Sequence, residues 1–321
     1  MRALVLTSHD TAPSLRDIAQ PQPGAQEVRI RVAACGLNFA DLLMIKGSYQ
    51  DTPPLPLVPG MEVAGIIDSC GADVTDLRPG MRVAAFVGAG GLAEHVTCPA
   101  ANCMALPDAM SMEQAAGFQI AYGTSHLALA HKARLQPGET LLVLGAAGGV
   151  GLTAVEIGAR MGARVVAVAR GAERLAIARA AGAEVTLDSD STDLRAACRD
   201  LGGLDVVYDA IGEPLATPAL RSLRPEGRFL TIGFAGGQVP QFPGNLLLVK
   251  NISVLGLYWG GYLRFAPQVL TDSLRTLLNW FEAGDITPHV GAVLPFDQVA
   301  EGLEMLRNRT ATGKIVIKLA P

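Results

Sequence analysis

From residue 140 onward, short apolar runs alternate with longer stretches in which apolar residues return every three or four positions. The runs 140–144, 164–168, 184–187, 205–209, 228–232 and 252–257 read as strands, and 149–161, 173–181, 192–201 and 215–223 as the helices between them. Runs that are apolar throughout suit strands covered on both faces. Strand–helix alternation at this spacing predicts right-handed βαβ crossovers and a doubly wound parallel sheet, complete by about residue 258. The first hundred residues differ. Val28–Val32 alternates with period two, Val63–Ile67 and Met81–Val87 are short apolar runs, and Pro21, Pro23-Gly24, Pro53-Pro54, Pro59-Gly60 and Pro79-Gly80 punctuate them. This texture predicts a small irregular β-barrel. At Ser111-Met112-Glu113-Gln114, which resembles a capping box offset by one position, the pattern turns helical and stays so toward Leu135, stopping at Pro137-Gly138. Helix is expected again over 263–283 and 296–307, and strand over 314–318. The expected α/β organisation is therefore a first domain of residues 1–123 completed by 259–321, and a second of residues 124–258.

The most informative segment is Gly145-Ala146-Ala147-Gly148-Gly149-Val150-Gly151, which lies between the first strand and first helix of the alternating region. Strand, glycine turn and helix together hold a pyrophosphate against free backbone N–H groups and the positive end of a helix dipole. Glycine permits the close approach of phosphate to backbone and of helix to strand. Gly145, Ala147, Gly148, Gly149 and Val150 are thus expected to contact a dinucleotide. The residue that ends the second strand meets the adenosine ribose, and an acid there selects NAD. Here it is Ala169, followed by Arg170, with Arg174 one helical turn on. No carboxylate repels a 2′-phosphate and two cations attract one, which points to NADPH; the bland alternative is two solvated surface arginines.

Composition narrows the class. With 321 residues, half of them apolar and 17% charged, the chain can bury a large core, and two domains fit its length. A net charge of −4 without a basic cluster makes nucleic acid a poor partner. The start of the chain lacks a signal-peptide layout, and no apolar stretch reaches membrane-spanning length. The five cysteines, at 35, 70, 98, 103 and 198, form no Cys-x-x-Cys pair or zinc-ribbon spacing, and fit reduced thiols in a cytoplasm.

Several segments, in order along the chain, match a known family: Ala34-Cys35-Gly36-Leu37-Asn38-Phe39-Ala40-Asp41, Val58-Pro59-Gly60-Met61-Glu62-Val63-Ala64-Gly65, Pro79-Gly80-Met81-Arg82-Val83, Gly91-Leu92-Ala93-Glu94-His95, Ala121-Tyr122-Gly123-Thr124, the glycine loop, Asp205-Val206-Val207-Tyr208-Asp209 and Gly227-Arg228-Phe229-Leu230-Thr231-Ile232-Gly233. The chain resembles the medium-chain dehydrogenase/reductase superfamily and, within it, the zinc-free quinone reductases (the zeta-crystallin group), over nearly its whole length. The resemblance implies a GroES-like irregular β-barrel catalytic domain plus a doubly wound Rossmann domain. Zinc alcohol dehydrogenases of the superfamily carry cysteine where Asn38 stands and histidine where Met61 stands. Near Ala121-Tyr122 there is no cysteine either, and the four-cysteine lobe for a structural zinc is missing, so no metal is expected. Without a Lewis acid, oxidising an alcohol is difficult, whereas a quinone or conjugated enone accepts hydride directly.

The expected activity is an NADPH-dependent reduction of quinones or related conjugated carbonyls. Asn38 is read as an amide donor at the vacated metal position. Tyr49 is either a proton donor, as in related enoyl-thioester reductases, or an apolar lid. Asp41 either lines the substrate site or is structural, as a cap or as a partner for Arg82 or Lys46. The resemblance further implies that Thr124, Gly233, Phe234, Leu257 and Tyr258 contact the cofactor, that Arg309 reaches its adenosine phosphate, and that Tyr258 and Trp259, with Tyr262, line a flat slot for a planar ring unless they are core or interface. His95 and His126 read as structural. Rival readings are a 2-enoyl thioester or α,β-unsaturated carbonyl reductase, with Lys46 and Arg264 as the only candidate basic rim, and a non-catalytic NADPH-binding protein. The apolar run 252–257 would be an exposed edge strand, so a homodimer is expected.

Overall fold

Residues 1–319 are described by the structure, a computed structural model. The chain forms two units: Met1–Ile120 together with the chain from Pro288, and Ala121–Thr287. The first opens with β1 (Arg2–Val5), β2 (Ser14–Asp17), β3 (Glu27–Gly36), α1 (Phe39–Ile45), β4 (Glu62–Cys70), β5 (Arg82–Phe86), β6 (His95–Pro99), β7 (Cys103–Ala105) and α2 (Met112–Ala116). Helix α3 (Gln119–His126) carries the chain into the second unit. There follow β8 (Thr140–Leu144), α4 (Gly149–Arg160), β9 (Arg164–Ala169), α5 (Ala172–Ala180), β10 (Val185–Asp188), α6 (Leu194–Asp200), β11 (Leu204–Asp209), α7 (Ala216–Arg221), β12 (Leu223–Thr231), α8 (Gly244–Lys250), β13 (Ser253–Gly256), α9 (Tyr262–Phe265) and α10 (Pro267–Glu282). The chain returns to the first unit with β14 (Val290–Pro295), α11 (Val299–Asn308) and β15 (Lys314–Lys318).

The first unit is built on a sheet of order β14-β15-β3-β4-β5-β7, with β6 also paired to β3. Strand β3 serves several neighbours because its register with β4 shifts twice, at Arg29/Ile30 and Val32/Ala34. Its first half, Glu27–Arg31, pairs with β6, and its last three residues pair with β15. Val28, Ile30, Val32, Val63, Val83, Ile315 and Ile317 fill the core behind this sheet. This is the expected GroES-like unit. Its first hundred residues also contain α1, which the turn-rich pattern hid.

The second unit is the doubly wound one. Its six strands are all parallel, in the order β10-β9-β8-β11-β12-β13. Every residue of β8 is buried, as a central strand covered on both faces requires. The order reverses between β8 and β11, the switch point of such a sheet. Leu142, Leu144, Val166, Val207 and Phe229 pack on one face beneath α6 and α7.

Three expectations need correction. The helical stretch toward Leu135 is broken: α2 stops at Gly117, where a Cβ would lie 2.9 Å from the Lys314 stem, and after α3 residues Leu127–Lys132 take a wider π-helical turn. Ser111–Gln114 is a regular capping box, with Gln114 N–H donating to Ser111 Oγ at 3.1 Å and Ser111 N–H to Gln114 Oε1 at 3.2 Å. Finally, 259–287 belongs to the second unit, not the first. Thr287 N–H donates to Glu156 at 2.6 Å, Arg160 pairs with Asp285 at 2.8 Å and stacks over Trp280, and His126 Nδ1 meets Ser273 Oγ at 2.7 Å. Helical periodicity could locate α10 but not the surface it covers. Among the described residues no helix is long and apolar enough to cross a membrane.

Candidate functional site

In the second unit, the glycine loop lies at the carboxyl end of β8. Gly145 adopts φ +76°, and Gly145 and Ala146 donate to Val168 O, which ties the turn to β9. A Cβ on Gly151 would lie 2.0 Å from Gly145 O, so only glycine lets the first turn of α4 approach this closely. Gly148 is the exposed N-cap of α4. It supplies no side-chain cap, and a Cβ there would meet only Gly145 O at 3.4 Å. Gly149 and Val150 are half-buried, whereas Ala147 is buried. The turn therefore presents the uncapped start of a twelve-residue helix, a fit for the pyrophosphate of a dinucleotide.

Helix α5 repeats this arrangement after β9. Its N-cap, Gly171, has φ +77° and gives no side-chain cap. Arg170 is exposed just before it, and the half-buried Arg174 is its third helical residue. A cation in a helix's first turn opposes the helix dipole. That local cost is offset where an anion such as a 2′-phosphate binds.

A buried hydroxyl cluster supports the loop from below. Ser125 Oγ lies 2.9 Å from Val150 O, 2.8 Å from Thr153 Oγ1 and 2.9 Å from Tyr208 Oη, and Thr153 donates to Ala121 O at 3.1 Å. These bonds fasten α3, α4 and β11 together beneath the glycine turn. Beside them Tyr122 Oη donates to Glu156 at 2.5 Å. Burial pushes both groups up, and the Glu156 carboxylate adds to the effect on the phenol.

In the first unit, a charged cluster lies where no sequence pattern had announced one. Lys314 Nζ donates to Glu62 Oε1 at 2.7 Å, to Asn38 Oδ1 at 2.8 Å and to Leu37 O at 2.9 Å, which uses all three of its hydrogens. The Asn38 amide donates to Glu62 Oε1 at 3.0 Å and Gly36 O at 3.2 Å. Glu62 Oε2 accepts from Ile120 N–H at 3.0 Å. Asn38 is therefore not a spare amide donor: both its amide hydrogens and its carbonyl are engaged within the protein. The clue to this cluster lay in two isolated charges within apolar runs, Glu62 before Val63-Ala64 and Lys314 before Ile315-Val316-Ile317. Buried charges need partners, but the sequence alone did not pair them.

Asp41 does not line a substrate surface. It is fully buried, accepts from Asn38 N–H at 2.8 Å and Gly60 N–H at 3.0 Å, and so closes the start of α1. It pairs with neither expected cation. Arg82 instead donates to the carbonyls of Pro107, Asp108 and Met110. Burial raises the Asp41 pKa to about 6, against the pull of its two backbone donors and of Lys314. Burial, followed by Asp41 and Glu62, also pushes the neighbouring Cys35 thiol up. Asparagine and methionine at 38 and 61 are poor zinc ligands, and Asn38 is already bonded to an ammonium. Among the described residues no three His, Cys, Asp or Glu side chains are grouped to hold a metal ion.

The remaining candidates are placed as follows. Tyr49 is half-buried against the first unit's core, and its carbonyl accepts from Thr52 Oγ1 at 2.7 Å. Arg309 is exposed at the carboxyl end of α11, in the left-handed conformation. In the second unit Thr124 is buried on α3, Gly233 and Phe234 are half-buried after β12, and Leu257 and Tyr258 are half-buried after β13. The aromatic slot needs correction. Trp259 is buried with its Nε1 where a Gly123 Cβ would lie 2.4 Å away, and Tyr262 is buried against His131 and Phe265. Tight packing in the core leaves only Tyr258 partly accessible. His126 is structural, bonded to Ser273 and edge-on to Trp280. His95 faces Asp68 at 3.7 Å.

The family model described as zinc-binding dehydrogenase matches residues 149–281, and that of the alcohol dehydrogenase GroES-like domain matches residues 24–108. The chain is 39% identical to the quinone oxidoreductase-like protein 2 homolog of Nematostella vectensis, over 92% of this chain and 82% of that protein. It is 38% identical to quinone oxidoreductase-like protein 2 of Rattus norvegicus, over 99% of this chain and 92% of the relative. Among solved structures, the quinone oxidoreductase of Thermus thermophilus, also determined in complex with NADPH, superposes with a TM-score of 0.88 at 36% identity, covering 99% of this chain and 100% of that one.

Proposed function

Because the chain belongs to the medium-chain dehydrogenase/reductase superfamily, in its zinc-independent quinone oxidoreductase-like group, we propose that it is an NADPH-dependent reductase of quinones or related conjugated carbonyls. The state of Asn38 carries this reading. At the position where zinc members place a ligand, this chain has an amide fully engaged by Lys314, Glu62 and Gly36. Such a site offers no Lewis acid for deprotonating an alcohol, whereas an electron-poor conjugated acceptor takes hydride without one.

NADPH supplies the hydride from its nicotinamide. The protein's own residues bind and orient. Gly145, Ala147, Gly148, Gly149 and Val150 with the start of α4 hold the pyrophosphate, and Arg174 with Arg170 holds the 2′-phosphate. Thr124, Gly233, Phe234, Leu257 and Tyr258 serve the nicotinamide side, and Arg309 serves the adenosine phosphate. Tyr49 gives the proton that follows the hydride, since a phenol with a reference pKa of about 10 keeps its proton at neutral pH. Hydride plus proton turns an enone into a saturated carbonyl and a quinone into a hydroquinone. Two copies of the chain associate through the open edge of β13; α8, which precedes that strand in the chain, exposes Leu248 and Val249.

The test is NADPH consumption by purified protein, with a chelator present, on 1,4-benzoquinone, a naphthoquinone, an alkyl enone and crotonyl-CoA. Chelator-resistant turnover with the quinones is expected. Preference for crotonyl-CoA would replace this reading with enoyl-thioester reduction, and NADPH binding with no turnover on any acceptor would reject it.

A further inference from the structure

Three of the five cysteines gather at one end of the first unit's sheet. Val28 of β3 pairs in register with Cys98 of β6 on one side and Cys70 of β4 on the other, which puts these three side chains in a row on one face. After Pro99 the chain makes a single 3₁₀ turn, Ala100–Asn102, and re-enters the sheet as β7, whose Cys103 pairs with Ala85 of β5. That turn brings Cys103 Sγ to 3.6 Å from Cys98 Sγ. The other two cysteines, Cys35 and Cys198, are buried elsewhere.

We propose that Cys98 and Cys103 are a dithiol–disulfide site, closed by small oxidised disulfides, that staples β6 to β7. An S–S bond is about 2.05 Å long, so the sulfurs must approach by about 1.5 Å.

Access sets the order of events. Cys98 is buried, and its thiol is pushed well above the usual range by its hydrogen bond with Cys103 and by burial. Cys98 therefore stays protonated, and the half-buried Cys103 is the sulfur a small reagent reaches. Cys103 attacks one sulfur of oxidised glutathione, forming a mixed disulfide and releasing one glutathione. The mixed disulfide takes the Cys103 thiol out of its hydrogen bond with Cys98. Cys98 then gives up its proton to the departing glutathione sulfur as its own sulfur attacks Cys103 Sγ and displaces the second glutathione. The protein loses two electrons and two protons, and both arrive on the two glutathione thiols released.

Cys70 is the internal control. Its Sγ lies 3.6 Å from Leu77 O, and the proximity of Cys103 adds to the burial that raises its thiol. It is the one other thiol placed to compete for the mixed disulfide.

The experiment equilibrates the folded, full-length protein with oxidised and reduced glutathione at graded ratios. Free thiols are then alkylated in denaturant, and intact mass and peptide fragmentation are read. The expected result is loss of two of the five alkylatable thiols, a mass lower by about 2 Da before alkylation, and fragmentation showing a closed 98–103 loop. Cys98→Ser and Cys103→Ser should each abolish the closure, and Cys70→Ser should retain it. Cys98→Ala provides a second variant of apolar character should the serine disturb the core. A persistent glutathione adduct on Cys103, a Cys70–Cys103 link, or five free thiols at every ratio would each overturn the proposal.

Discussion

Lys314 and Glu62 meet inside the first unit with Nζ 2.7 Å from Oε1 and side chains only 7% and 2% exposed. The two residues lie 252 positions apart in the chain. Their pairing attaches the last strand to β4 and, through Asn38, to the start of α1. Every hydrogen of the ammonium has an acceptor, the condition under which a buried pair is tolerated at all.

Removing one partner strands the other as a buried charge. Lys314→Met or Glu62→Met alone should therefore cost about 3–5 kcal/mol. The double variant Lys314→Met/Glu62→Met should recover much of this, because a well-packed apolar pair is often neutral. Denaturant midpoints of the four proteins make the double-mutant cycle. A strictly additive double variant would show that the two charges are not coupled.

Asp41 should give the first unit an inverted acid response. Its folded pKa of about 6 lies above the unfolded carboxylate value of about 3.9. The folded state holds this proton more tightly, so the group's contribution is fully present below about pH 4. It is lost as pH rises through about 6. The stability difference between the wild type and Asp41→Asn should slope between these pH values and be flat above them, as followed by urea denaturation. A flat difference throughout would place the titration elsewhere.

Two glycines of the loop should separate folding from binding. Gly151→Ala drives a Cβ to 2.0 Å from Gly145 O and should destabilise the second unit by about 2 kcal/mol or more. Gly148→Ala has room within the protein and an ordinary φ of −82°. It should leave the melting temperature nearly unchanged while weakening NADPH, since the added methyl faces the phosphate position. Thermal melts and fluorescence titration distinguish the two, and equal behaviour of both variants would refute the assignment of the loop.

Arg174→Ala should weaken NADPH about tenfold, or about 1.4 kcal/mol. NADH should change by no more than about twofold, because only the former carries the 2′-phosphate. Equal losses in dissociation constant would remove Arg174 from the phosphate site.

Tyr49→Phe should slow enone reduction more than quinone reduction, because a hydroquinone product collects protons from water while an enolate carbon needs a placed donor. Steady-state kcat on one acceptor of each kind, with its pH profile, reads the difference. Unchanged rates would reduce Tyr49 to packing.

The sequence determined the alternating strands and the glycine turn of the second unit. Its strands are mostly contiguous apolar runs and its turns carry glycine, so periodicity located β8 to β11 and β13 to within a residue or two, while β12 begins at Leu223, ahead of the expected 228, and the loop at 145–151 announced a phosphate-binding turn. These signals are local, and local signals survive in one dimension. Tertiary structure alone decided the rest. Asp41 proved a buried cap and Asn38 a fully bonded amide because Gly60, Glu62 and Lys314 arrive from distant parts of the chain. Trp259 proved core because Gly123 leaves a space that its indole fills. Residues 259–287 joined the second unit because Glu156, Arg160 and His126 bind them there. Composition and spacing show which residues can carry charge or turn a chain; which partner satisfies each buried polar group depends on chain closure over hundreds of residues, and no window along the sequence contains it.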